Sequence, residues 1–450
     1  MFVNERSYKL ENEKISRLLL NLSLPATIGM IVNALYNVVD TIFIGRGVGT
    51  LGIGGLTIAF PIQMMIMALG QLVGIGAASI VSRALGAKDK GRADYVVGNA
   101  YSIVLLMGII TAVFGLSFLE PLLKLFGATN TILPYAKEYM FVIFIGSIYF
   151  PLVITSNNLV RAEGNAKAAM VSMLIGTGLN ILLDPIFIFG FRMGIKGAAL
   201  ATILSQFASL IYVLRYFFGE KSIFHVKLYH LKIKKELQKE IFTVGFASFA
   251  RQIAGSVVAI ILNNSLKIYG GDLAISILGI VNRVLMFLFM PLFGVIQGMQ
   301  PIVGFNYGAK KIDRVKETVK LSIIVTTVFA SFSVLIGELF PTVIMGVFSK
   351  DINLVKEGAI VLRVVIMMVP IIGVQIVGSA LFQALGKAIP SLILTLLRQV
   401  LLFIPLLLIL PRFFGLMGIW ITYPISDFIS TIVTSMIVKR EMEKIILEGR

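Results

Sequence analysis

Long apolar stretches separated by short polar ones run through the whole 450-residue chain. About twelve have the length needed to cross a bilayer, roughly twenty apolar residues each: 15–42, 53–82, 94–119, 132–158, 168–190, 195–217, 240–268, 274–304, 317–346, 355–383, 391–411 and 416–438. The pattern predicts an all-α polytopic membrane protein with twelve transmembrane helices. Only one long polar segment interrupts it, "RYFFGEKSIFHVKLYHLKIKKELQK" at 215–239. The predicted organisation is therefore a six-helix bundle over 1–218 (the N-lobe), a linker over 219–238, and a second six-helix bundle over 239–450 (the C-lobe).

The two bundles read as copies. "SRALGAKDKGRAD" (82–94) follows the second segment and "GFNYGAKKIDRVK" (304–316) the eighth, at an offset of 222. "RAEGNAKAAM" (161–170) follows the fourth and "QALGKAIPSL" (383–392) the tenth, at the same offset. Each match alone is weak, since glycine ends helices anywhere; two at one offset make a duplication. Six spans per copy is an even number, so both copies share one orientation and a pseudo-two-fold axis along the membrane normal relates them. Facing bundles of this kind suit an alternating-access carrier better than a pore.

Composition agrees: 57% of residues are hydrophobic, 14% are charged and mean hydropathy is +0.93, far from a soluble domain. The net charge of +17 raises nucleic acid as a partner, but its distribution does not support one. About 27 of the 40 basic residues fall in loops on one side and about 10 on the other. This is the positive-inside pattern; it places both termini in the cytoplasm and leaves anionic lipid headgroups as partners of the charge. The chain has no cysteine, and its two histidines, His225 and His230, sit in the polar segment. Without an Asp-rich metal motif, an intramembrane histidine or a Gly-rich phosphate loop, neither a membrane enzyme nor a nucleotide-driven pump is expected.

Polar residues inside the spans carry the remaining signal. Asn33, Tyr36, Asn37 and Asp40 form one stripe of the first helix, Asn180 and Asp184 one face of the fifth, and Thr202, Ser205 and Gln206 one stripe of the sixth. A lone Asn or Thr in a membrane is commonly helix–helix glue. A carboxylate is different, costing roughly 2.5–3.5 kcal/mol at the bilayer centre on insertion scales. Two of them in three stripes of one half point to an internal cavity. Pro185 follows Asp184 and cannot donate to the carbonyl of Ile181, leaving a free acceptor beside the acid. Such hard oxygen donors suit a proton or a small hard cation. At the matching places the second half has Leu262, Leu402 and Leu406, and it carries bases instead: Arg251, Arg283 and Arg398. Arg398 has a possible partner in Asp427, and Arg283 is a candidate for the wall of the central cavity. Arg161 and Glu163 are candidates for an inner gate, with an ordinary surface pair as the plainer reading. The 19 methionines are core filler in most proteins but also suit an adaptable cavity.

Several stretches resemble the multidrug and toxic compound extrusion (MATE) family, in its DinF-type or MepA-like branch. They are "PATIGMIVNALYNVVDTIFIGRGVG", "GIGAASIVSRALGAKDKGRA", "RAEGNAKAAM" and "NILLDPIFIFG…GIKGAALAT", in family order over essentially the whole chain. The resemblance implies a multi-pass protein of the plasma (inner) membrane. It would export amphiphilic, often cationic, drug-like compounds in exchange for inward H⁺ or Na⁺, as a monomer and without a cofactor. It implies a cation site at Asp40, Asn180, Asp184 and Thr202, a hinge at Pro25, and a cavity lined by Tyr139, Asn157, Met173 and Gln206. A lipid-linked-precursor flippase of the same superfamily is the alternative, although it would want a markedly cationic cavity and usually extra helices.

Overall fold

A computed structural model describes residues 2–219 and 221–448. Ahead of the first span lies a charged helix, α1 (Phe2–Asn12). The first half continues with α2 (Ile15–Gly47), α3 (Thr50–Gly86), α4 (Lys90–Ser117) and a short loop helix α5 (Leu119–Leu125). Next come α6 (Leu133–Gly146) and α7 (Phe150–Ala162), two limbs of one span bent by 49°. The half closes with α8 (Ala166–Pro185), prolonged by a π turn over Ile186–Gly190, and α9 (Gly194–Phe218). In the second half α10 (Lys235–Gly308) reverses at Gly271 and supplies two spans. After α11 (Ile312–Leu339) and the short α12 (Pro341–Phe348), α13 (Ile352–Ile366) and α14 (Val369–Ala384) form another span, bent by 46°. Then α15 (Ala388–Leu396) runs through a π segment, Leu397–Phe403, into α16 (Ile404–Glu448), which reverses at Gly415. Counting each bent pair once and each reversed helix twice gives twelve spans, six per half. Gly271 and Gly415 have φ of 62° and 56°, so each reversal occurs at one residue that glycine alone adopts at little cost.

The repeat offset read from the sequence reappears in the backbone. Left-handed residues fall at Gly49 and Gly271, Lys88 and Lys310, and Gly164 and Gly386, each pair 222 apart. The predicted linker is ordered: Asn99 of α4 donates to the carbonyl of His230 at 3.1 Å and accepts from the backbone N–H of Lys234 at 2.7 Å. The second bundle accordingly starts at Lys235, a few residues earlier than the sequence suggests.

The halves meet tightly at the end of the bundle that carries both termini. A Cβ on Gly86 would come within 1.9 Å of the Phe305 carbonyl oxygen, and one on Gly308 within 2.0 Å of the Arg83 carbonyl oxygen. Those two contacts are one contact repeated through the offset. Deeper in, Gly76 faces the carbonyl of Ile241 and Gly245 that of Leu72, while Gly298, the copy of Gly76, takes Ser23 of α2 and Gly294 takes Thr27. Only residues without side chains let helices approach this closely. Ion pairs from Glu240 to Arg83 at 3.3 Å and Arg92 at 2.8 Å add to the seal.

Helix α1 straps the same end. Arg6 pairs with Glu163 of the first half at 3.1 Å, while Glu11 pairs with Lys311 of the second at 3.0 Å. The Leu10 carbonyl accepts from Asn306 and Arg314. Because the native chain lacks cysteine, the seal can be probed with one introduced thiol. Gly308→Val should force the halves apart and raise the reactivity of a Ser82→Cys thiol toward a hydrophilic maleimide at least several-fold over Ser82→Cys alone. Equal labelling rates would show that the glycine contacts do not hold this end shut.

Candidate functional site

Helix α2 packs against α8 and α8 against α9, bringing the three polar stripes together. Asp40, Asn180 and Asp184 are buried, at 5%, 2% and 0% exposure. Pro185 shapes the site as its chemistry requires. With no N–H to give Ile181, the chain tightens so that Ile186 donates to Leu183, then widens so that Phe191 donates to Ile186. The resulting π turn is wedged between its neighbours. A Cβ on Gly47 of α2 would come within 2.2 Å of Ile188, and one on Gly197 of α9 within 2.9 Å of the Phe187 backbone.

Asp40 and Asp184 stand on helices that pack together, close enough for the two side chains to act on each other. Oriented so that both ends of its amide find partners, Asn180 donates to Asp184 Oδ2 at 3.0 Å and accepts from the Thr202 backbone N–H at 3.1 Å. The Thr202 hydroxyl donates to the Ala198 carbonyl at 3.0 Å and has the Tyr36 hydroxyl beside it. One oxygen of each carboxylate, Asp40 Oδ1 and Asp184 Oδ1, has no protein partner. Two neighbouring carboxylates inside a bilayer repel unless something positive lies between them. Among the described residues no third acid, histidine or cysteine joins them in a metal-binding group, so the charge to be balanced is at most two. Carboxylate, amide and hydroxyl oxygens together make a hard donor set.

The remaining predicted residues spread outward from this pair. The Tyr139 hydroxyl accepts from Gln63 at 3.1 Å and lies within electrostatic reach of Asp40 and Tyr36. Asn157 Oδ1 and Ser205 Oγ are buried without partners. Met173 packs its sulfur against Gly29, and Gln206 lies beside Gly176. Pro25 sits inside α2, with Asn33 two turns further along. The side chain of Asn37 lies outside the described residues. Arg283 is exposed, on the second limb of α10, and does not line the central cavity described next.

That cavity, about 300 Å³, opens between the halves. Its floor narrows to about 20 Å³ among Ser79, Ser82, Arg161, Gln300 and Gln383. Arg161 and Glu163 do not close it as a pair. Arg161 donates to Asn158 at 2.9 Å, whereas Glu163 is fully buried beneath α1, bonded to Arg6, Tyr216, Ser222 and the Ile223 N–H. Besides Glu11 of α1, the residue that makes cross-half ion pairs is Glu240, whose position in a lysine-rich stretch concealed it. Also missed in the sequence was a run of glutamines around the cavity, for glutamine in a membrane helix carries no spacing signal. Arg398 and Asp427 do pair, at 2.6 Å.

The chain is similar throughout its length to known transporters. The MatE family profile matches residues 25–186 and 247–409. The multidrug export protein MepA of Staphylococcus aureus (strain NCTC 8325 / PS 47) is 28% identical over 439 residues, covering 97% of this chain and 96% of MepA. That of Staphylococcus saprophyticus is 29% identical over the same length and share. Among solved structures, the MATE multidrug transporter DinF-BH in complex with R6G superposes with a TM-score of 0.89 at 43% identity, over 95% of this chain and 96% of that one. An outward-facing MATE transporter of the MOP superfamily superposes at 0.92 with 26% identity, over 98% of both.

Two stability measurements test this geometry. Asn180→Leu strands Asp184 and the Thr202 N–H, a loss of about 1–3 kcal/mol, and should lower the melting temperature by a few degrees; an unchanged Tm would dismiss the bridge. Burial pushes the Glu163 carboxyl up to about 7, against the opposing pull of the Ile223 N–H and Arg6. An acid raised in the folded state adds stability at low pH and loses it as pH rises through that value. Glu163→Gln, always neutral, should therefore melt above the native protein at pH 8 and level with it near pH 5; parallel melting curves would refute this.

Proposed function

The chain belongs to the MatE family of membrane transporters, and from that premise we propose that it is a secondary multidrug antiporter. It exports amphiphilic, often cationic, organic compounds in exchange for inward H⁺ or Na⁺. The observation that carries the reading is the Asp40–Asp184 pair, neighbouring, buried and each with an oxygen that has no partner among the described residues. A transporter coupled to a cation needs a place where the cation's arrival changes the protein, and a repelling acid pair answers that need. Entry of one cation leaves the pair a single charge that the two acids share; its departure restores the second charge, and the acids must then separate or find a positive substrate. Asp40 stands on α2 and Asp184 on α8, so the repulsion acts between two helices rather than within one. Pro25, lower on α2, gives that helix a place to bend.

The sealed terminal end and the cavity between the halves support alternating access, with the seal facing the cytoplasm and both termini on that side. The protein then works in the plasma membrane as a monomer, since each chain holds both halves of its own cavity. The drug named with DinF-BH and the names of the staphylococcal relatives support small drug-like substrates.

Purified protein in liposomes, driven separately by a pH gradient and a sodium gradient, identifies the ion. Asp184→Asn and Asp40→Asn should each reduce gradient-driven dye export at least tenfold while leaving dye binding measurable. Full uphill export by either variant would end the coupling assignment.

A further inference from the structure

The acid pair is not matched by acids across the molecule. Among the described residues every charged group lining the central cavity is basic: Arg161 in its floor, and in its wall Arg251 from the first limb of α10 and Arg398 from the π segment Leu397–Phe403. The two wall arginines stand differently. Arg398 is neutralised from behind by Asp427 and lies over the Phe289 ring, 5.5 Å from its centroid. Arg251 has no carboxylate within ion-pairing distance among the described residues, and its guanidinium lies 5.8 Å from the Phe293 centroid. Arg251 is exposed, so its guanidinium is open to the cavity it lines and free to meet a charge that enters there.

Two further observations point to a ligand. Gln399, next to Arg398, and Gln297, from the wall facing Arg251, each hold a buried side-chain oxygen with no partner. The segment that presents Arg398 and Gln399 is π-helical, a costly backbone form that clusters at functional sites. In the first half the π turn follows Asp184 and Pro185; in the second it carries Arg398 and Gln399 instead.

We propose that the second-half cavity is an anion-accepting subsite centred on Arg251. It takes the carboxylate, sulfonate or phosphate of an amphiphilic ligand, while Gln297 and Gln399 accept hydrogen bonds from that ligand's N–H or O–H groups. A cavity of about 300 Å³ holds such a group and part of the ring that bears it. The inference deepens the transport reading above by extending the substrate class to organic anions and zwitterions, but binding itself does not depend on coupling. The same chemistry admits an anionic lipid headgroup or a free organic anion.

The test is equilibrium binding to the full-length protein in neutral detergent, read by fluorescence anisotropy with fluorescein as the anionic probe and rhodamine 6G as the cationic one. Arg251→Gln should weaken fluorescein at least tenfold and leave rhodamine 6G unchanged or tighter, whereas Arg251→Lys should stay within about threefold of the native protein. Gln399→Ala, which keeps every charge, should weaken fluorescein modestly and guards against a misfolded Arg251→Gln. Displacement by short-chain phosphatidylglycerol but not by glycerol phosphate supports the subsite as a lipid-headgroup site; resistance to both supports a free organic anion. Fluorescein binding that is absent in the native protein, or equal in native and Arg251→Gln, overturns the proposal, as does displacement by millimolar chloride. None of these readouts uses an ion gradient, so failure of the subsite and failure of coupling at Asp184 are seen separately.

Discussion

A charge inside a bilayer must have a partner, a proton or water, and most of what distinguishes this chain follows from how each buried charge meets that demand. Arg398 has Asp427, and Arg161 has the Asn158 amide. Glu163 has Arg6, Tyr216 and two donors from the loop beyond α9. Those groups are settled by the protein itself. Asp40, Asp184 and Arg251 are not, and all three stand in the central part of the molecule where something from outside can settle them. The distinction between satisfied and unsatisfied charge separates the scaffold from the working parts more sharply than burial does, because Asp40 and Asp184 are as buried as Glu163 whereas Arg251 is exposed.

Duplication explains how one scaffold supports opposite chemistries. The halves share their bent fourth span, their left-handed residues at a fixed offset and their reciprocal glycine contacts. They do not share the polar content of the fifth span and its copy, where Asn180 and Asp184 stand against leucines. A fold that needs only small residues at crossings and apolar ones toward lipid leaves its interior positions free to diverge.

The fold was legible because its signals are long-range sums: span length, loop charge and a repeat at 222 all survive local ambiguity. Asp40, Asn180, Asp184 and Thr202 were legible because acids within apolar runs are expensive, and the structure does bring them together. Pro185 marks a break in the helix ladder that the sequence shows directly, whereas the π turn by which the chain accommodates it leaves no sequence signal. Glu163 was placed in a gate with Arg161 because the two are close in sequence; burial under a helix 150 residues away carries no local trace. Glu240 was hidden for a similar reason, its partners Arg83 and Arg92 lying in the other half. The cavity glutamines gave no warning, since an uncharged amide costs too little in a membrane helix to stand out from glue.

The strap formed by α1 bears on how the protein is made. The Leu10 carbonyl is held by Asn306, 296 residues later in the chain, and by Arg314 beyond it. At roughly 5–20 residues per second those partners leave the ribosome some 15–60 s after α1 does. Through that interval the amino-terminal helix has Glu163 to engage but not its anchors in the second half. Its docking thus comes last although its residues come first. The strap thereby reports from the start of the chain whether the end has been built.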